Sequence, residues 1–472
     1  PLALDLHLMH PGGPSAPGDP NAAFFLDDTC HLHYILNHPF RGKRSFSFVH
    51  VTSPDMLHWT WQETKLQPAF TGHGMFSGTG FLTKHGRPAV IYHGQASGRN
   101  WIALAQDRNL SAWRKPYPVE VTTPRGEKKK MRHWDPDCFR IGDTYYAISG
   151  GQNPPLFKSK DLEHWTFVGD FIRRQPHDVA LGEDISCPNF FRLGDKWMLL
   201  CISHPFGCRY YIGDWNSRAE QFVPETHGRM NWRREDQPIH NAFYRDFFAP
   251  ESVETPDGRR VMWAWLATLD PAIDKKTIQS LPRELRLAED GTLRISLLRE
   301  LASLRRDGWQ RSNITVRPGR RPHEVVPQPI GALPAQTAEL RIVVDREEAT
   351  RKRFGFSLFA DGDTDGLPIV VRPETGALRV GRTDAPFAVA DLPPGEDLEL
   401  RIFVDNYLVE VFANDRQALV AAHMDWTRSR TIHACSFGVP TTIRSIQAWP
   451  LEPTTRGYHA ARETPVWKPA TE

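Results

Sequence analysis

The chain has 472 residues, and its charge is nearly balanced, with 58 basic and 56 acidic side chains giving a net charge of +2. This length suits two or three domains with sizeable cores. A dispersed charge near zero gives no reason to expect nucleic acid as a partner, and no apolar run is long enough to cross a membrane. Because the chain begins at Pro1, the lack of a signal peptide is uninformative: an extracellular location after removal of a signal peptide and a cytoplasmic location are both compatible with it.

Three short acidic motifs stand at the ends of apolar, strand-like runs, each beside Pro or Gly. They are Gly18-Asp19-Pro20-Asn21, Trp134-Asp135-Pro136-Asp137 and Gly182-Glu183-Asp184-Ile185-Ser186-Cys187-Pro188. Carboxylates that converge in one pocket can cleave a glycosidic bond, because one attacks the anomeric carbon, one protonates the leaving oxygen and one binds sugar hydroxyls.

A sequence repeat organises the first 300 residues. The segment from Ser53 to Trp61 reappears from Ser159 to Phe167, and aromatic anchors recur at intervals of 52 to 57 residues, at Trp59, Trp113, Trp165 and Phe222. A repeat of about fifty residues built from short strands and turns is typical of a β-propeller, and four or five blades fit before residue 300. Since the innermost strand of each blade lines the channel, Asp19, Asp135 and Glu183 are expected at one mouth of it.

The rest of the chain predicts a second domain. Residues 305–334 are rich in Arg and Pro and are interpreted as a linker. Short alternating apolar runs separated by Pro and Gly then predict a β-sandwich over residues 335–453, followed by a polar tail at 454–472. The N-terminal propeller would therefore span residues 1–304.

Several motifs, in order, resemble those of glycoside hydrolase family 32, the β-fructosidases. They include the Asp19 and Asp135 motifs, the segments Phe76-Ser77-Gly78-Thr79 and Ser186-Cys187-Pro188, and a late segment from Val404 to Phe412. The resemblance implies an all-β fold, with a five-bladed β-propeller followed by a C-terminal β-sandwich. It also implies that Asp19 is the nucleophile and that Asp135 holds fructose hydroxyls.

The same resemblance implies further substrate contacts. Matching positions are Asn21, Phe76, Ser77, Arg132 and Trp134. One of these positions departs from the family pattern, because Trp134 stands where the family has Arg, with Arg132 two residues earlier. Gly18 likewise stands where the family has Asn. No cofactor and no metal site are expected.

The most serious departure concerns the general acid/base. Ser186 occupies the position of the family's Glu, and Glu183 and Asp184 lie just upstream. Strand alternation favours Asp184, because it shares a face with Ser186, whereas the longer side chain favours Glu183. We assign the role to Glu183, with a pKa raised by burial or by Asp19, and assign Asp184 to substrate binding.

The predicted function is hydrolysis of β-fructosidic bonds in fructans or fructo-oligosaccharides, with retention of configuration through a fructosyl-enzyme. Two alternatives stay open. One is a fructosyltransferase such as a levan fructotransferase, which forms a cyclic difructose anhydride. The other is a catalytically silent, fructan-binding propeller, which the Ser186 substitution would allow. In each case the partner is a carbohydrate.

Overall fold

The structure is a computed structural model that describes residues 4–13, 18–176, 179, 182–232, 247–267, 277–321, 324–361 and 366–472. These residues form 33 strands, three short helices and two 3-10 turns, so the all-β prediction is confirmed for them. None of their helices is long and apolar enough to span a bilayer.

The first two sheets are antiparallel meanders of four consecutive strands, joined by the short helix α1 (Pro68–Thr71). The first sheet contains β1 (Pro20–Leu26), β2 (Thr29–Phe40), β3 (Lys43–Ser53) and β4 (Thr60–Trp61). The second contains β5 (Met75–Leu82), β6 (Pro88–Gly94), β7 (Asn100–Leu104) and β8 (Tyr117–Pro118).

Three further meanders follow before residue 300. The third sheet contains β9 (Val121–Thr122), β10 (Pro136–Ile141), β11 (Thr144–Ser149), β12 (Pro155–Ser159) and β13 (Trp165–Asp170), with β9 parallel to β13. The fourth contains β14 (Ser186–Leu193), β15 (Lys196–Ser203), β16 (Gly207–Asn216) and β17 (Gln221–Arg229). The fifth contains β18 (Phe248–Glu254), β19 (Arg260–Trp265), β20 (Arg283–Leu287) and β21 (Leu293–Leu297).

The first strands of these five sheets contact one another in the cyclic order β1, β5, β10, β14, β18 and back to β1. Buried carboxyl groups link them across the sheets. Asp137 on β10 accepts hydrogen bonds from Thr79 on β5 (2.7 Å) and from the backbone of Phe190 on β14 (2.7 Å). Glu251 on β18 accepts one from the backbone of Ala23 on β1 (3.0 Å). The residues at the starts of these strands are therefore brought close together.

The sequence repeat forms the turn between β3 and β4 in the first sheet and between β12 and β13 in the third. In the first sheet, Asp55 Oδ1 accepts hydrogen bonds from the backbone N–H groups of Leu57 (2.9 Å) and His58 (2.8 Å). Asp161 caps the equivalent turn in the third sheet. Its Oδ1 accepts a hydrogen bond from the His164 backbone N–H, and its Oδ2 contacts the His164 ring. The repeat is thus a side-chain-capped turn that ends in a buried Trp.

The C-terminal domain consists of two six-stranded sheets around a separate apolar core. Its strands are β22 (Trp309–Val316), β23 (Gln328–Ala332), β24 (Thr337–Val344), β25 (Phe354–Leu358), β26 (Leu367–Arg372), β27 (Ala377–Val380), β28 (Thr383–Pro386), β29 (Leu398–Asp405), β30 (Leu408–Ala413), β31 (Gln417–Ala422), β32 (Thr431–Ser436) and β33 (Thr441–Pro450). The strand orders are β22-β33-β24-β29-β30-β31 and β23-β32-β25-β26-β27-β28. Helix α2 (Arg346–Arg351) and the 3-10 turn Val389–Asp391 complete it, and the other 3-10 turn, Arg299–Leu304, packs against the core of the N-terminal sheets.

Two segments differ from the prediction. The proposed linker at 305–334 contains β22 and β23, which pair with β33 and β32 and so belong to the sandwich sheets. The proposed tail contains helix α3 (Arg456–Glu463) and the buried Trp467, and Tyr458 of α3 meets Trp61 edge to face at 6.2 Å between ring centroids. The polar composition of these segments did not indicate strands or a helix, because edge strands and an amphipathic helix bury only one side.

The two domains share a buried ionic cluster. Arg283 on β20 forms an ion pair with Glu410 on β30 (2.6 Å), and His7 lies between Glu410 (3.1 Å) and Asp405 (2.7 Å). Burial alone would lower the pKa of His7, but the hydrogen bonds to Asp405 and Glu410 outweigh it and raise that pKa to about 9. The late motif from Val404 to Phe412 therefore joins the sandwich to the N-terminal sheets.

Candidate active site

The first strands of four of the five sheets carry an irregularity near their starts. Register shifts occur between Asn21 and Phe24, between Met75 and Gly78, between Ser186 and Asn189, and between Phe248 and Pro250. Three non-glycine residues at these places adopt positive φ: Ala22 (48°), Cys187 (45°) and Ala249 (43°). Such bulges redirect side chains and are common beside active sites.

Asp19 lies at the entry to β1 and is buried. Its backbone carbonyl accepts a hydrogen bond from the backbone of Ile35 (2.9 Å), and its Oδ2 accepts one from Ser77 Oγ (3.0 Å). Burial raises the pKa of Asp19 to about 6, and the charge of Asp135 acts in the same direction while the Ser77 hydrogen bond opposes it. The group is therefore ionised at neutral pH.

Gly18 fits this entry because Thr277 approaches it closely. A Cβ at Gly18 would lie 2.9 Å from the Cα of Thr277, which is closer than carbon atoms approach without a shift of the backbone. The side chain of Gln279 also donates a hydrogen bond to the Gly18 carbonyl (2.6 Å). These contacts explain why a glycine replaces the Asn that the family resemblance implies here.

Asn21 braces the same entry. Its amide nitrogen donates to the Asp19 carbonyl (2.9 Å), and its amide oxygen accepts from the Gly78 backbone N–H (2.6 Å). Because both polar atoms of this buried side chain bind backbone, Asn21 holds β1 against β5 and orients Asp19. Its predicted contact with substrate stays a prediction.

The Cys187 side chain lies between Asp135 and Asp19 and contacts both carboxylates. Asp135 Oδ2 accepts hydrogen bonds from Ser186 Oγ (2.7 Å) and from the Cys187 backbone N–H (3.2 Å). The thiol sulfur of Cys187 lies 3.6 Å from Asp135 Oδ2 and 3.9 Å from Asp19 Oδ2. Burial raises the pKa of Cys187 well above its ordinary value, so a neutral thiol separates the two carboxylates.

Aromatic side chains surround this pair. Trp134 is half-buried and donates from Nε1 to Ser186 Oγ (2.8 Å), and the exposed Arg132 guanidinium lies 5.4 Å from the Trp134 ring centroid. Phe76 is half-buried and stacks on His93, with 6.3 Å between ring centroids. Half-exposed aromatic rings of this kind suit stacking against sugar faces, so Phe76, Trp134 and Arg132 stay candidates for substrate contact.

Glu183 has the opposite ionisation to the one predicted. Its carboxylate is bound by the guanidinium groups of Arg209 and Arg229, with Arg229 Nη2 2.6 Å from Oε1. Burial favours the neutral acid, but the two arginines outweigh it and lower the pKa of Glu183 to about 2. The expectation of a raised pKa is therefore wrong, since a carboxyl group with this pKa holds no proton at neutral pH.

Asp184 binds a histidine. Its Oδ1 accepts a hydrogen bond from the His204 backbone N–H (2.9 Å), and its Oδ2 lies 2.6 Å from His204 Nδ1. Burial tends to raise the pKa of Asp184, but the hydrogen bonds from His204 outweigh it and lower that pKa below its ordinary range. Asp184 is therefore an ionised partner of His204, and its predicted contact with substrate stays a prediction.

Sequence reasoning missed His204, Arg209 and Arg229. None of them belongs to a motif, and each lies on the second, third or fourth strand of its sheet or in the turn that follows. The signal that could have identified the two arginines is their cross-strand pairing. Arg209 on β16 and Arg229 on β17 are direct partners, so two like charges face each other. A pair of that kind requires an acidic partner nearby.

Among the described residues, no group of three His, Cys, Asp or Glu side chains is placed to hold a metal ion. Several histidines of the first sheet stack on one another, with 4.5 Å between the ring centroids of His33 and His50.

Two family models match the chain. Residues 16–296 match the glycosyl hydrolases family 32 N-terminal domain, and residues 300–450 match the glycosyl hydrolases family 32 C-terminal domain. Together they span the five meanders and the sandwich.

Curated relatives include a sucrose-6-phosphate hydrolase of Salmonella typhimurium, 26% identical over 460 residues that cover 89% of this chain and 86% of the relative. They also include a levanase of Bacillus subtilis, 25% identical over 491 residues that cover 92% of this chain and 68% of the relative. Among solved structures, sucrose-6-phosphate hydrolase from Lactobacillus gasseri aligns with a TM-score of 0.73 at 20% identity, covering 96% of this chain and 93% of that one. Fructan 1-exohydrolase IIa from Cichorium intybus aligns with a TM-score of 0.72 at 17% identity, covering 96% and 97%. These structural matches show a shared fold.

Proposed function

The chain belongs to glycosyl hydrolase family 32 and is a glycosidase of the β-fructofuranosidase type, and we propose that it cleaves the β-fructosidic bonds of fructans or fructo-oligosaccharides with retention of configuration. The observation that carries the proposal is the pairing of Asp19 with Asp135 around Cys187. One carboxylate there is positioned by Ser77, and the other by Ser186. The similarity to a levanase over most of this chain supports a fructan as substrate.

In the proposed mechanism, Asp19 is the nucleophile. Its carboxylate is ionised above about pH 6, and it attacks the anomeric carbon of the fructosyl unit to form a fructosyl-enzyme. Asp135, fixed by Ser186 and the Cys187 backbone, accepts hydrogen bonds from fructose hydroxyls. These bonds strengthen as positive charge develops on the sugar ring, which lowers the barrier.

For the architecture, we propose that the five meanders are the blades of a five-bladed β-propeller whose inner strands are β1, β5, β10, β14 and β18. The cyclic order of contacts between those strands supports this count. We place the boundary of the propeller near residue 304, where the 3-10 turn Arg299–Leu304 ends and the chain continues into the sandwich.

Product analysis tests the substrate and the reaction. The protein is incubated separately with levan, inulin, sucrose and sucrose-6-phosphate, and the products are separated by anion-exchange chromatography. Release of free fructose from levan or inulin, faster than from the two disaccharides, is the expected result. A cyclic difructose anhydride would identify a transferase, preference for sucrose-6-phosphate would reassign the substrate, and fructan binding without turnover would contradict hydrolysis.

A further inference from the structure

The site lacks a proton donor at the place where the family has one. Ser186 occupies that position, where its hydroxyl binds Asp135 Oδ2 and accepts from Trp134 Nε1. A serine hydroxyl is far too weak an acid to protonate a leaving oxygen, and Glu183 is held ionised by two arginines. Cleavage of an unactivated glycoside nevertheless needs a general acid.

The strand register brings His204 to the same end of the fourth sheet as Ser186. Ser186 on β14 is the direct partner of Ile202 on β15. Asp184 lies two residues before Ser186, ahead of β14, and His204 lies two residues after Ile202, in the turn that follows β15. Trp134 contacts both sides of this end, because its Nε1 donates to Ser186 Oγ and its ring lies 6.4 Å from that of His204.

Asp184 fixes the imidazole at two points. One carboxylate oxygen binds the His204 backbone N–H, and the other lies 2.6 Å from Nδ1. Because an ionised carboxylate can only accept, Nδ1 carries a proton. The second ring nitrogen, Nε2, is then the atom at which the imidazole gains or loses its titrating proton.

The surroundings of His204 belong to the candidate site. Its ring lies 6.4 Å from that of Trp134 and 6.1 Å from that of Phe248, measured between centroids. Its side chain is 38% exposed, so a ligand can reach it. The positive charge of His204 opposes the rise in the pKa of Asp19 that burial causes, so the two side chains lie within electrostatic reach of each other.

Building on the proposed function, we propose that His204 is the general acid/base of this protein and that Asp184 is its positioning residue. The imidazolium replaces the carboxylic acid whose position Ser186 has taken. Among the residues that the structure describes, the charged groups that interact with it include Asp184, from the segment before β14, and Asp19, at the start of β1.

As an Asp19 oxygen bonds to the anomeric carbon, the bond from that carbon to the leaving oxygen breaks, and its electron pair takes the proton from His204 Nε2. The alcohol departs and leaves a neutral imidazole. Nε2 then accepts a proton from water while the water oxygen bonds to the anomeric carbon, and the Asp19 carboxylate is released with its electron pair. The histidine and the aspartate end in their starting states.

A histidine is chemically suited to this exchange. Its ordinary pKa lies near neutrality, so it can donate a proton and take it back at the same pH. An adjacent carboxylate stabilises the imidazolium and fixes the ring orientation, which is the role an aspartate has beside the histidine of serine hydrolases.

The test compares two leaving groups in the full-length protein. Sucrose or an inulin oligosaccharide needs protonation of the leaving oxygen, whereas para-nitrophenyl β-fructofuranoside does not. We expect His204→Ala and His204→Gln to lose about 10²–10⁴-fold in kcat/KM on the unactivated substrates and less than about tenfold in kcat/KM on the nitrophenyl fructoside. Added azide should speed turnover of the nitrophenyl substrate by His204→Ala and form fructosyl azide. Because the activated substrate is still turned over, it also reports correct folding.

The pH profile tests the positioning role of Asp184. Removing its charge in Asp184→Asn makes the imidazolium less stable, so the basic limb of kcat/KM should move to lower pH. A role in folding alone would reduce the amount of active protein without moving that limb. An unmoved limb in an active Asp184→Asn variant would contradict the positioning role.

His164→Gln is the matched control, because Asp161 and His164 form a similar pair on an exposed turn of the third sheet, with 2.8 Å between Oδ2 and Nδ1. It should leave both activities unchanged.

Equal losses on the two substrates in the His204 variants, or kcat within threefold of the wild type on sucrose, would overturn the assignment. The same leaving-group pattern in Glu183→Gln would transfer the role to Glu183. A wild-type protein that turns over neither fructoside would instead contradict the proposed function, and the inference with it.

Discussion

Glu183 and Arg229 form a two-point ion pair, in which Nη2 lies 2.6 Å from Oε1 and Nη1 lies 3.0 Å from Oε2. Arg209, the cross-strand partner of Arg229, binds the same carboxylate from a fully buried position. This glutamate therefore neutralises two arginines on neighbouring strands and ties the start of β14 to β16 and β17.

Glu183→Gln should consequently reduce stability. The neutral amide leaves two adjacent guanidinium groups without a counter-ion, and we expect the free energy of unfolding to fall by about 3 kcal/mol. Denaturant unfolding followed by tryptophan fluorescence measures it. Glu163→Gln, at an exposed turn, is the control and should change stability by less than about 0.5 kcal/mol. An unchanged midpoint for Glu183→Gln would contradict the structural role.

Asp19→Asn should abolish turnover while preserving the fold. The amide is isosteric with the carboxylate and can still accept a hydrogen bond from Ser77, but it cannot attack the anomeric carbon. A loss on the order of 10⁴-fold or more in kcat is expected on activated and unactivated fructosides alike. Steady-state kinetics on both substrates, with unfolding curves to confirm the fold, measures this. Activity within tenfold of the wild type would rule out Asp19 as the nucleophile.

The acid limb of kcat/KM should reflect Asp19, whose pKa is raised by burial to about 6. Activity should therefore fall as pH drops through about 6, because the nucleophile becomes protonated. The Ser77 hydrogen bond lowers that pKa, so Ser77→Ala should shift the limb to higher pH. Ser303→Ala, on an exposed 3-10 turn, should leave the limb in place. A shift to lower pH in Ser77→Ala would contradict this assignment.

The sequence was sufficient for the family and the all-β class, because these depend on local patterns. The family motifs are contiguous in the sequence, and the strands are short alternating runs separated by turn residues. It was insufficient at Glu183, because the ionisation of a carboxyl group depends on partners distant in sequence. Arg209 and Arg229 are 26 and 46 residues away, and only the pairing of β16 with β17 brings them together.

Composition likewise misled the prediction outside the site. Residues 305–334 have the Arg and Pro content of a linker, yet β22 and β23 lie at the edges of the two sandwich sheets. Edge strands tolerate polar residues and Pro because one side of the strand makes no ladder hydrogen bonds. His204 was not predicted because it lies 20 residues from its partner Asp184 in the sequence, and only the folded structure brings the two side chains together.

The domain interface should set a pH window for stability. His7 has a pKa raised to about 9, so its contribution is full below about pH 6.5 and is lost as pH rises towards 9. Burial opposes ionisation of Glu410, but Arg283 and His7 lower its pKa to about 2, so its contribution is full above about pH 4.5 and is lost as pH falls towards 2. The interface should therefore be most stable between about pH 4.5 and 6.5.

Glu410→Gln tests that window. It should lower the free energy of unfolding by about 3–5 kcal/mol, because Arg283 is left buried without its partner. It should also flatten the loss of stability between pH 6.5 and 9, since His7 loses one of its acceptors. Glu374→Gln, which breaks an exposed ion pair with Arg353, should cost at most about 1 kcal/mol. An unaltered pH dependence in Glu410→Gln would contradict the interface account.

The central claim is that catalysis proceeds through a fructosyl-enzyme on Asp19. The most direct measurement is mass spectrometry of protein quenched in acid during turnover of para-nitrophenyl β-fructofuranoside, followed by peptide mapping. The account predicts a mass increase of one fructosyl unit on the peptide that contains Asp19, and none in Asp19→Asn. An adduct on another carboxyl group, or turnover without any adduct and with inverted configuration at the anomeric carbon, would contradict it.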